Sequence, residues 1–343
     1  MNTKDITTVA IRSGVSTDTV SKVLSDSRRV NPSLVDRVLQ AVAELEYLRD
    51  SSVKSSVKSR KVDRHARVIG VILADSSNVY QGAIAAAARE EGARQGFATI
   101  IANGRGGRAR QLRNIEMFVQ QHVFGLIVVS SSGIDSIPET GFAGTAVFVE
   151  SHGFSLAYNS VSADNVAGGR LAAAHLLETG RRRIAFISSA FVPQSAQRLY
   201  GARAELDSAH GMSLEVIAAE SNSSAAGLAI GNAIAQRDPD QIPDAIICAN
   251  DPLALGLLQS AKLKDAVRIP QDLALIGFDD SPFTASTRPA LSSIKLPADE
   301  IGKAAVNLLT HNSPRRQHLR FEPTLIERAS TRIPAGTLSL PTP

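Results

Sequence analysis

The stretch that decides the fold of the amino-terminal region is residues 6–24, Ile6-Thr7-Thr8-Val9-Ala10-Ile11-Arg12-Ser13-Gly14-Val15-Ser16-Thr17-Asp18-Thr19-Val20-Ser21-Lys22-Val23-Leu24. Apolar residues recur at helical spacing on both sides of Gly14, and the Ser16 hydroxyl is suited to accept a backbone N–H where the second helix starts. Packing the two apolar faces together leaves the polar side chains of the second helix exposed. The pattern predicts a helix-turn-helix.

Positive charge is concentrated in this amino-terminal region. Residues 1–67 carry 13 Lys and Arg against 8 Asp and Glu, whereas residues 68–343 carry 24 against 25. An excess of positive charge at one end favours a polyanion partner, either nucleic acid or an anionic membrane. Because the second helix of a helix-turn-helix presents its side chains to the major groove, we expect residues 1–48 to be a DNA-binding domain.

The next segment, residues 49–66, changes in composition to Ser, Lys, Arg and Val and contains the repeat Ser51-Ser52-Val53-Lys54 and Ser55-Ser56-Val57-Lys58. A period of four would place Val53 over Val57 in a helix, but Ser and Val make a free helix of this length marginal. We therefore expect residues 49–66 to be a hinge, either helical or a flexible tether.

From residue 68 onward, short β-rich runs alternate with helical segments. The predicted strands are Val68–Leu73, Ala98–Ala102, Leu126–Val129, Ala146–Val149, Ile184–Ile187, Val216–Ala218, Ala245–Ala249 and Ala274–Gly277. The predicted helices are Gln81–Gln95, Asn165–Thr179, Ala196–Ala209, Ser224–Gln236 and Pro252–Lys262. This alternation predicts an α/β body of two doubly wound parallel-sheet lobes, with a ligand at the carboxyl ends of the strands between them.

Several classes of protein are disfavoured by the composition. No apolar stretch approaches the roughly 18 residues that a membrane-spanning helix needs, and the first residues lack the pattern of a secretory signal, so we expect a cytoplasmic protein without a membrane partner. The single cysteine, Cys248, lies in an apolar run and is expected to be buried and reduced. We expect neither a metal site nor a cofactor.

The motif Val-Ala-x-x-x-Gly-Val-Ser-x-x-Thr-Val-Ser-Lys-Val-Leu at residues 9–24 resembles the lactose/galactose repressor (LacI/GalR) family of bacterial transcription regulators. The likeness continues through the body in the family's order, at residues 69–72, 75–80, 198–201, 249–256, 276–280 and 288–294. It implies a periplasmic-binding-protein type I-like body at residues 67–334, which carries effector binding and dimerisation. Its lobes would be about 67–163 plus 296–325, and 164–295 plus 326–334, followed by a disordered tail at 335–343.

The resemblance implies a set of DNA-contacting residues. Thr17, Asp18 and Lys22 match base-reading positions of the family, and Thr19, Ser21 and Asn31 match neighbouring phosphate contacts. Lys22 suits the paired O6 and N7 acceptors of guanine. Asp18 either reads a base or only complements the dipole at the start of the helix.

The hinge departs from the family, whose members usually carry Pro and Asn after the tyrosine and a leucine further on, where this chain has Arg49, Asp50 and Ser56. Val57 could replace the leucine as a minor-groove wedge, with Lys54 and Lys58 on phosphates.

The resemblance also implies an effector site in the cleft between the lobes. Its candidate residues are Asn78, Tyr80, Glu150, Arg198, Asn222, Asn250 and Asp279. Carboxylates, amides and a guanidinium together suit the vicinal hydroxyls of a sugar or polyol, which both donate and accept hydrogen bonds. Asn222 stands where some sugar-binding relatives stack an aromatic ring, so a nucleobase and a phosphorylated compound are alternative effector classes.

The sequence disfavours three other functions. Gly104-Arg105-Gly106-Gly107-Arg108-Ala109 fits a dinucleotide-binding pattern, but it follows the second strand of its lobe and no acidic residue ends the next strand, which disfavours a dehydrogenase. A transport-type sugar-binding protein would carry a signal peptide and no DNA-reading head. Hydrolase motifs such as Gly-x-Ser-x-Gly and His-Glu-x-x-His are absent.

The sequence thus predicts a homodimeric, non-enzymatic transcription regulator, most simply a repressor, that binds a pseudo-palindromic double-stranded DNA operator. A small polar effector, most simply a sugar or sugar derivative, would change the operator affinity in either direction. No leucine heptad follows residue 330, which favours a dimer over a tetramer.

Overall fold

The computed structural model describes residues 9–26, 31, 33–35, 37, 38, 41, 67–105, 107–129, 144–151, 158–189, 192–209, 211–311 and 315–332. The chain divides into two compact units, Met1–His65 and Ala66–Pro343. The predicted hinge at residues 49–66 and the predicted tail at 335–343 lie outside the described residues.

The amino-terminal unit has the predicted helix-turn-helix. Residues 9–13 are helical, Gly14 turns the chain at φ +64°, and helix α1 spans Thr17–Asp26. A left-handed φ of this kind favours glycine. The miniature core consists of small side chains, Val9, Ala10, Val20, Val23, Val38 and Ala41.

The second unit contains two six-stranded sheets. Its strands are β1 (Val68–Leu73), β2 (Ala98–Asn103), β3 (Gly125–Val129), β4 (Thr145–Val149), β5 (Asn159–Ala163), β6 (Arg183–Ser189), β7 (Ser213–Ala219), β8 (Ala245–Cys248), β9 (Ala274–Phe278), β10 (Ser292–Lys295), β11 (His318–Phe321) and β12 (Thr324–Ile326). Every strand that the sequence predicted is present, with ends shifted by at most three residues.

The helices of the second unit alternate with these strands. They are α2 (Val79–Arg94), α3 (Arg108–Gln120), α4 (Asn165–Glu178), α5 (Pro193–Asp207), α6 (Ser224–Ile234), α7 (Asp251–Gln259), α8 (Ala261–Ala266) and α9 (Ala298–Thr310). In the part of the chain described here, none of the helices combines the length and apolar character that crossing a bilayer requires.

Each sheet is wound in the same order. The first sheet runs β11-β5-β4-β3-β1-β2 and is parallel throughout, while the second runs β12-β10-β9-β8-β6-β7 and is parallel except for the antiparallel edge strand β12. In both sheets the second strand along the chain, β2 or β7, pairs on one side of the first strand, β1 or β6. The later strands are added on the other side of that first strand. This order confirms the two predicted doubly wound lobes and places a ligand crevice at the carboxyl ends of the strands.

The chain passes between the lobes at three places among the described residues. It leaves the first sheet after β5, returns through α9, which packs on α2 and β4, and leaves again between β11 and β12. β12 begins at Thr324, two residues before the predicted return at 326. The strand residues at the centre of both sheets, including Cys248, are buried on both faces, as expected where helices cover both faces of a parallel sheet.

Two glycines let helices α4 and α5 cross at backbone contact. A Cβ on Gly169 would overlap the carbonyl of Arg198, and a Cβ on Gly201 would overlap the carbonyl of Val166. The crossing therefore fixes the distance between the start of α4 and the first turns of α5. Gly82 in α2 differs, because nothing lies within 4 Å of its Cβ position.

We expect Gly169→Ala to lower the free energy of unfolding by about 3 kcal/mol, the upper end of the range for overpacked cores, since the obstacle is backbone that cannot swing aside. The matched variant Gly82→Ala should be neutral or stabilising by up to about 1 kcal/mol, because alanine is the better helix former and has space. Urea unfolding followed by far-ultraviolet circular dichroism measures both. Equal effects of the two substitutions would contradict the close crossing.

Candidate functional site

The carboxyl ends of both sets of strands open into one cleft of about 900 Å³. All seven residues that the sequence predicted for effector binding line it, namely Asn78, Tyr80, Glu150, Arg198, Asn222, Asn250 and Asp279. The first lobe contributes Asn78, Tyr80 and Glu150, and the second contributes the other four. The cleft thus brings together side chains that are up to about 200 residues apart in the sequence.

Glu150 is the buried anion of the first lobe. It follows β4 in a left-handed conformation at φ +49° and is 2% exposed. Its carboxylate accepts hydrogen bonds from the Tyr80 hydroxyl at 2.9 Å, the Ala163 backbone N–H at 2.7 Å and Asn165 Nδ2 at 3.3 Å. Burial raises the pKa of Glu150, and these donors and the nearby Arg198 act in the opposite direction. Burial also raises the pKa of Tyr80 well above its usual value, so the phenol stays protonated and donates.

Arg198 is the buried cation of the second lobe. Its Nε donates to Asn165 Oδ1 at 2.8 Å, one terminal nitrogen donates to the Ala249 carbonyl, and the other lies 3.5 Å from Asp279 Oδ1. The guanidinium also lies 4.6 Å from the centroid of the Phe278 ring, which suits a cation–π contact. A guanidinium with this many partners is held in one orientation toward the cleft.

Asp279 lines the cleft, and the buried Asp251 is a second carboxyl group whose charge interacts with that of Asp279. Asp251 begins α7, is fully buried, and accepts from the Ser281 backbone N–H at 2.6 Å and the Ser293 hydroxyl at 2.7 Å. Burial, followed by the charge of Asp279, raises the pKa of Asp251 to about 7. Burial also raises the pKa of Asp279, against the opposing effect of Arg198. Interacting carboxyl groups that are shielded from water resist carrying a negative charge each.

The three asparagines of the cleft hold its loops in place. Asn78 caps α2 by accepting from the Gln81 N–H, and Asn250 caps α7 by accepting from the Leu253 N–H. The side-chain oxygen of Asn222 accepts from the Ser189 N–H at 2.9 Å, and the backbone carbonyl of Asn222 accepts from Asn250 Nδ2 at 2.9 Å. These amides shape the cleft wall and are engaged with backbone.

The second predicted site lies on the first unit. Ser16 caps α1 by accepting from the Thr19 N–H, and Thr17, Asp18 and Lys22 are exposed on this helix. Lys22 Nζ lies 2.7 Å from Asp18 Oδ2, an ion pair one helical turn apart that was not foreseen from the sequence. Thr19 is half-buried and hydrogen-bonded to the Ser16 hydroxyl.

Asn31 is exposed and accepts from the Ser33 N–H at 3.0 Å, so it acts as a helix cap. Of the remaining predicted DNA contacts, the side chain of Ser21 and the hinge residues Val57, Lys54 and Lys58 lie outside the described part of the chain.

Sequence reasoning missed two buried polar residues that contact the cleft residues from behind. Asn165 contacts both Glu150 and Arg198, and Asp251 contacts the loop that follows Asp279. Each comes just after a strand end and starts a helix, and strand ends are also where Asn250 and Asp279 lie. From the sequence alone, a polar residue at a helix start is indistinguishable from a cap. Within the described residues, no cluster of His, Cys, Asp and Glu suits a metal ion.

Comparisons with known proteins agree with both halves of the structure. The family model "Bacterial regulatory proteins, lacI family" matches residues 5–50, and "Periplasmic binding protein-like domain" matches residues 173–331. The HTH-type transcriptional repressor PurR of Vibrio cholerae is 30% identical over 93% of this chain and 96% of its own length. The ribose operon repressor of Bacillus subtilis is 31% identical over 88% and 89%, respectively.

Solved structures show the same architecture. The transcriptional regulator CelR in complex with cellobiose is 25% identical, with a TM-score of 0.67 over 95% of this chain and 99% of its own. The Lac repressor dimer bound to operator is 22% identical, with a TM-score of 0.68 over 94% of this chain and 97% of its own, and shares the fold.

We expect the stability of the protein to depend on Asp251. A carboxyl group with a pKa of about 7 in the folded state and an ordinary pKa in the unfolded state keeps its proton up to a higher pH in the folded state. Stability therefore falls as the pH rises from about 4 to 7, by on the order of 1.4 kcal/mol per pH unit. Asp251→Asn should remove this contribution, because an amide carries no charge and its oxygen still accepts from the Ser281 N–H.

Urea midpoints measured between pH 5 and pH 8 check this dependence. The exposed Asp265 supplies the control variant Asp265→Asn, which should follow the wild-type profile. Parallel profiles for wild type and Asp251→Asn would show that this carboxyl group titrates normally.

Proposed function

The chain belongs to the lacI family of bacterial regulatory proteins, and on that premise we propose that it is a homodimeric repressor whose cleft binds a sugar or a similar polyol. In this proposal the exposed face of α1 reads an operator, and the effector changes the affinity for that operator. The observation that carries the effector proposal is a cluster of charges at the edge of one cleft between two lobes, the buried Glu150 and Arg198 together with Asp279, whose side chain is 10% exposed.

The proposed DNA contacts follow from what α1 exposes. Thr17, Asp18 and Lys22 lie on its exposed surface, where a recognition helix meets base edges. Lys22 would donate to a guanine, and Asp18 would either accept from a cytosine amino group or orient Lys22 through their ion pair. Thr19, Ser21 and Asn31 remain the proposed phosphate contacts, together with the hinge residues.

The chemistry of the cleft favours a ligand rich in hydroxyl groups. Glu150 and Asp279 only accept hydrogen bonds when charged, Arg198 only donates, and Ser221 and Ser223 at the rim do both. A polyol can form hydrogen bonds with all of these groups because each hydroxyl donates one hydrogen bond and accepts others. Tyr80 is the only aromatic residue among those lining the described cleft, whereas a planar nucleobase is best held between two flat faces.

Two relatives support a sugar as the effector. The Bacillus subtilis protein is named for a ribose operon, and the CelR structure contains cellobiose. Both match this chain over nearly its whole body, and we propose that this chain binds a ligand of the same class.

The proposed coupling uses the three passages of the chain between the lobes. A sugar that bonds to Glu150 on one lobe and to Arg198 or Asp279 on the other binds more tightly when the lobes are closed, and it shifts the population toward that state. In a dimer, such a rotation of lobes alters the separation of the two DNA-binding units, and with it the fit to a two-fold operator.

An apolar edge of the first lobe suits the dimer. The edge strand β2 exposes Ile100 at 48% and Ile101 at 45%, and α3 exposes Met117 at 41%. Covering such side chains with a second copy of the chain removes apolar surface from water.

We expect Lys22→Ala to flatten the sequence preference of the protein at one base pair of each half-site. The direct measurement is selection of bound sequences from a random DNA library by wild type and variant, followed by titration of the selected DNA. Losing a bidentate contact to guanine should reduce discrimination at that position by about 1–3 kcal/mol. An equal loss of affinity across all sequences would mark Lys22 as a phosphate contact. The exposed Lys262 of α8 supplies the control variant Lys262→Ala.

We expect Arg198→Ala to abolish the response of operator binding to D-ribose or cellobiose while the sugar-free affinity stays within about threefold. The reason is that Arg198 is the only cation buried in the cleft wall among the described residues, far along the chain from α1. Fluorescence anisotropy with selected operator DNA, with and without each sugar, measures both quantities. Arg237→Ala, which removes an ion pair with Glu215 outside the cleft, is the matched control. A full response in Arg198→Ala would remove this residue from the site.

A further inference from the structure

Asn165 occupies the point where the chain leaves the first lobe for the second. It is the first residue of α4, directly after β5, and is 2% exposed. The preceding residue, Asp164, already caps the helix by accepting from the Ala167 N–H at 2.8 Å. The Asn165 side chain is therefore not needed to start the helix, and its burial calls for another explanation.

The amide of Asn165 bridges the two opposite charges of the cleft. Its Oδ1 accepts from Arg198 Nε at 2.8 Å, and its Nδ2 donates to Glu150 Oε2 and to the Ala163 carbonyl, each at 3.3 Å. An amide matches these partners because it offers one acceptor and one donor group, whereas a guanidinium only donates and a carboxylate only accepts. One end of the side chain therefore faces the cation of the second lobe and the other faces the anion of the first.

The bridge determines how both charged groups face the cleft. Glu150 uses Oε1 for Tyr80 and Ala163, and Asn165 holds the remaining oxygen, Oε2. Arg198 is steered at Nε, which sets the plane of the guanidinium and hence the direction of its two terminal nitrogens. A movement of the lobes that separates Glu150 from Arg198 has to change the hydrogen bonds of this shared amide.

We propose that Asn165 is a positioning residue for effector binding, which aligns Glu150 and Arg198 across the passage between the lobes and joins them into one unit. The inference rests on the proposed function of the cleft, since Asn165 is the shared hydrogen-bond partner of Glu150 and Arg198, the two groups proposed to contact the effector. It makes sugar affinity depend on a residue that need not touch the sugar.

The first test measures sugar binding by isothermal titration calorimetry with D-ribose and with cellobiose. Asn165→Leu, which keeps the size but removes all three side-chain hydrogen bonds, should lower the affinity for the bound sugar at least tenfold, while sugar-free operator affinity stays within about threefold. The control is Asn159→Leu, because Asn159 is also buried and bridges backbone groups of Leu308 and Gln317, away from the cleft. That control should lose stability but retain sugar affinity. Wild-type affinity in Asn165→Leu would overturn the proposal.

The second test needs no ligand and separates this inference from the proposed function. Asn165→Asp keeps the acceptor for Arg198 but places an oxygen against the Glu150 carboxylate, and Glu150→Gln turns the facing oxygen into an N–H donor. The double variant Glu150→Gln/Asn165→Asp thus restores the bridge with its polarity exchanged. If the two substitutions acted independently, their fold-changes in the equilibrium constant for unfolding would multiply. We expect the double variant, measured in urea, to have an unfolding constant at least tenfold smaller than that product.

Additive effects would overturn the bridge, whatever the sugars do. If wild type binds neither sugar, the proposed effector class is wrong. The double-variant result then decides alone whether Asn165 joins the two charges.

Discussion

The burial of one positive charge, the guanidinium of Arg198, is the constraint on which the cleft depends. A guanidinium keeps its proton in a protein, and taking it out of water costs several kcal/mol unless its N–H groups find partners. Here the partners are Asn165 at the start of α4, the carbonyl of Ala249 after β8, and Asp279 after β9. Satisfying this single charge fixes a helix start and two strand ends relative to one another.

The helix crossing below the cleft makes that arrangement possible. Arg198 lies on α5, and α5 can approach α4 closely only because Gly169 and Gly201 carry no side chain at the contact. The close contact at Gly169 and Gly201 therefore determines how far the Arg198 guanidinium extends toward α4. Packing and electrostatics are coupled in this lobe, so a change at a glycine that contacts no ligand still moves a charge of the cleft.

Most of the fold could be predicted from the sequence because central parallel strands are continuous apolar runs. The strands that were not predicted, β5, β10, β11 and β12, are short, and β5 and β10 are rich in serine. Their position at one side of each sheet comes from pairing with strands far away in the chain, for which a local pattern carries no signal.

The candidate site follows the same rule. Glu150 and Asp279 could be found through the family resemblance, and their places at strand ends agree with it because parallel strands deliver their carboxyl ends to one edge. Asn165 could not be distinguished from a helix cap, and the proximity of Asp251 to Asp279 depends on the register of two strands. A sequence shows which polar residues reach the edge of a sheet, but hydrogen-bond partners across two lobes require the folded chain.

The exposed ion pair of α1 and the buried charges of the cleft differ in how easily they exchange partners. Lys22 and Asp18 are 64% and 72% exposed, and pairs of this kind contribute about 0–1 kcal/mol, so Lys22 can leave Asp18 for a base at little cost. Arg198 cannot leave Asp279 in this way, because a buried carboxylate would remain without its partner. A ligand of the cleft therefore has to supply a hydrogen bond for each one it displaces, which vicinal hydroxyls do and a flat apolar face does not. The DNA-binding unit can thus sample many sequences, whereas the cleft admits only molecules whose polar groups match its own.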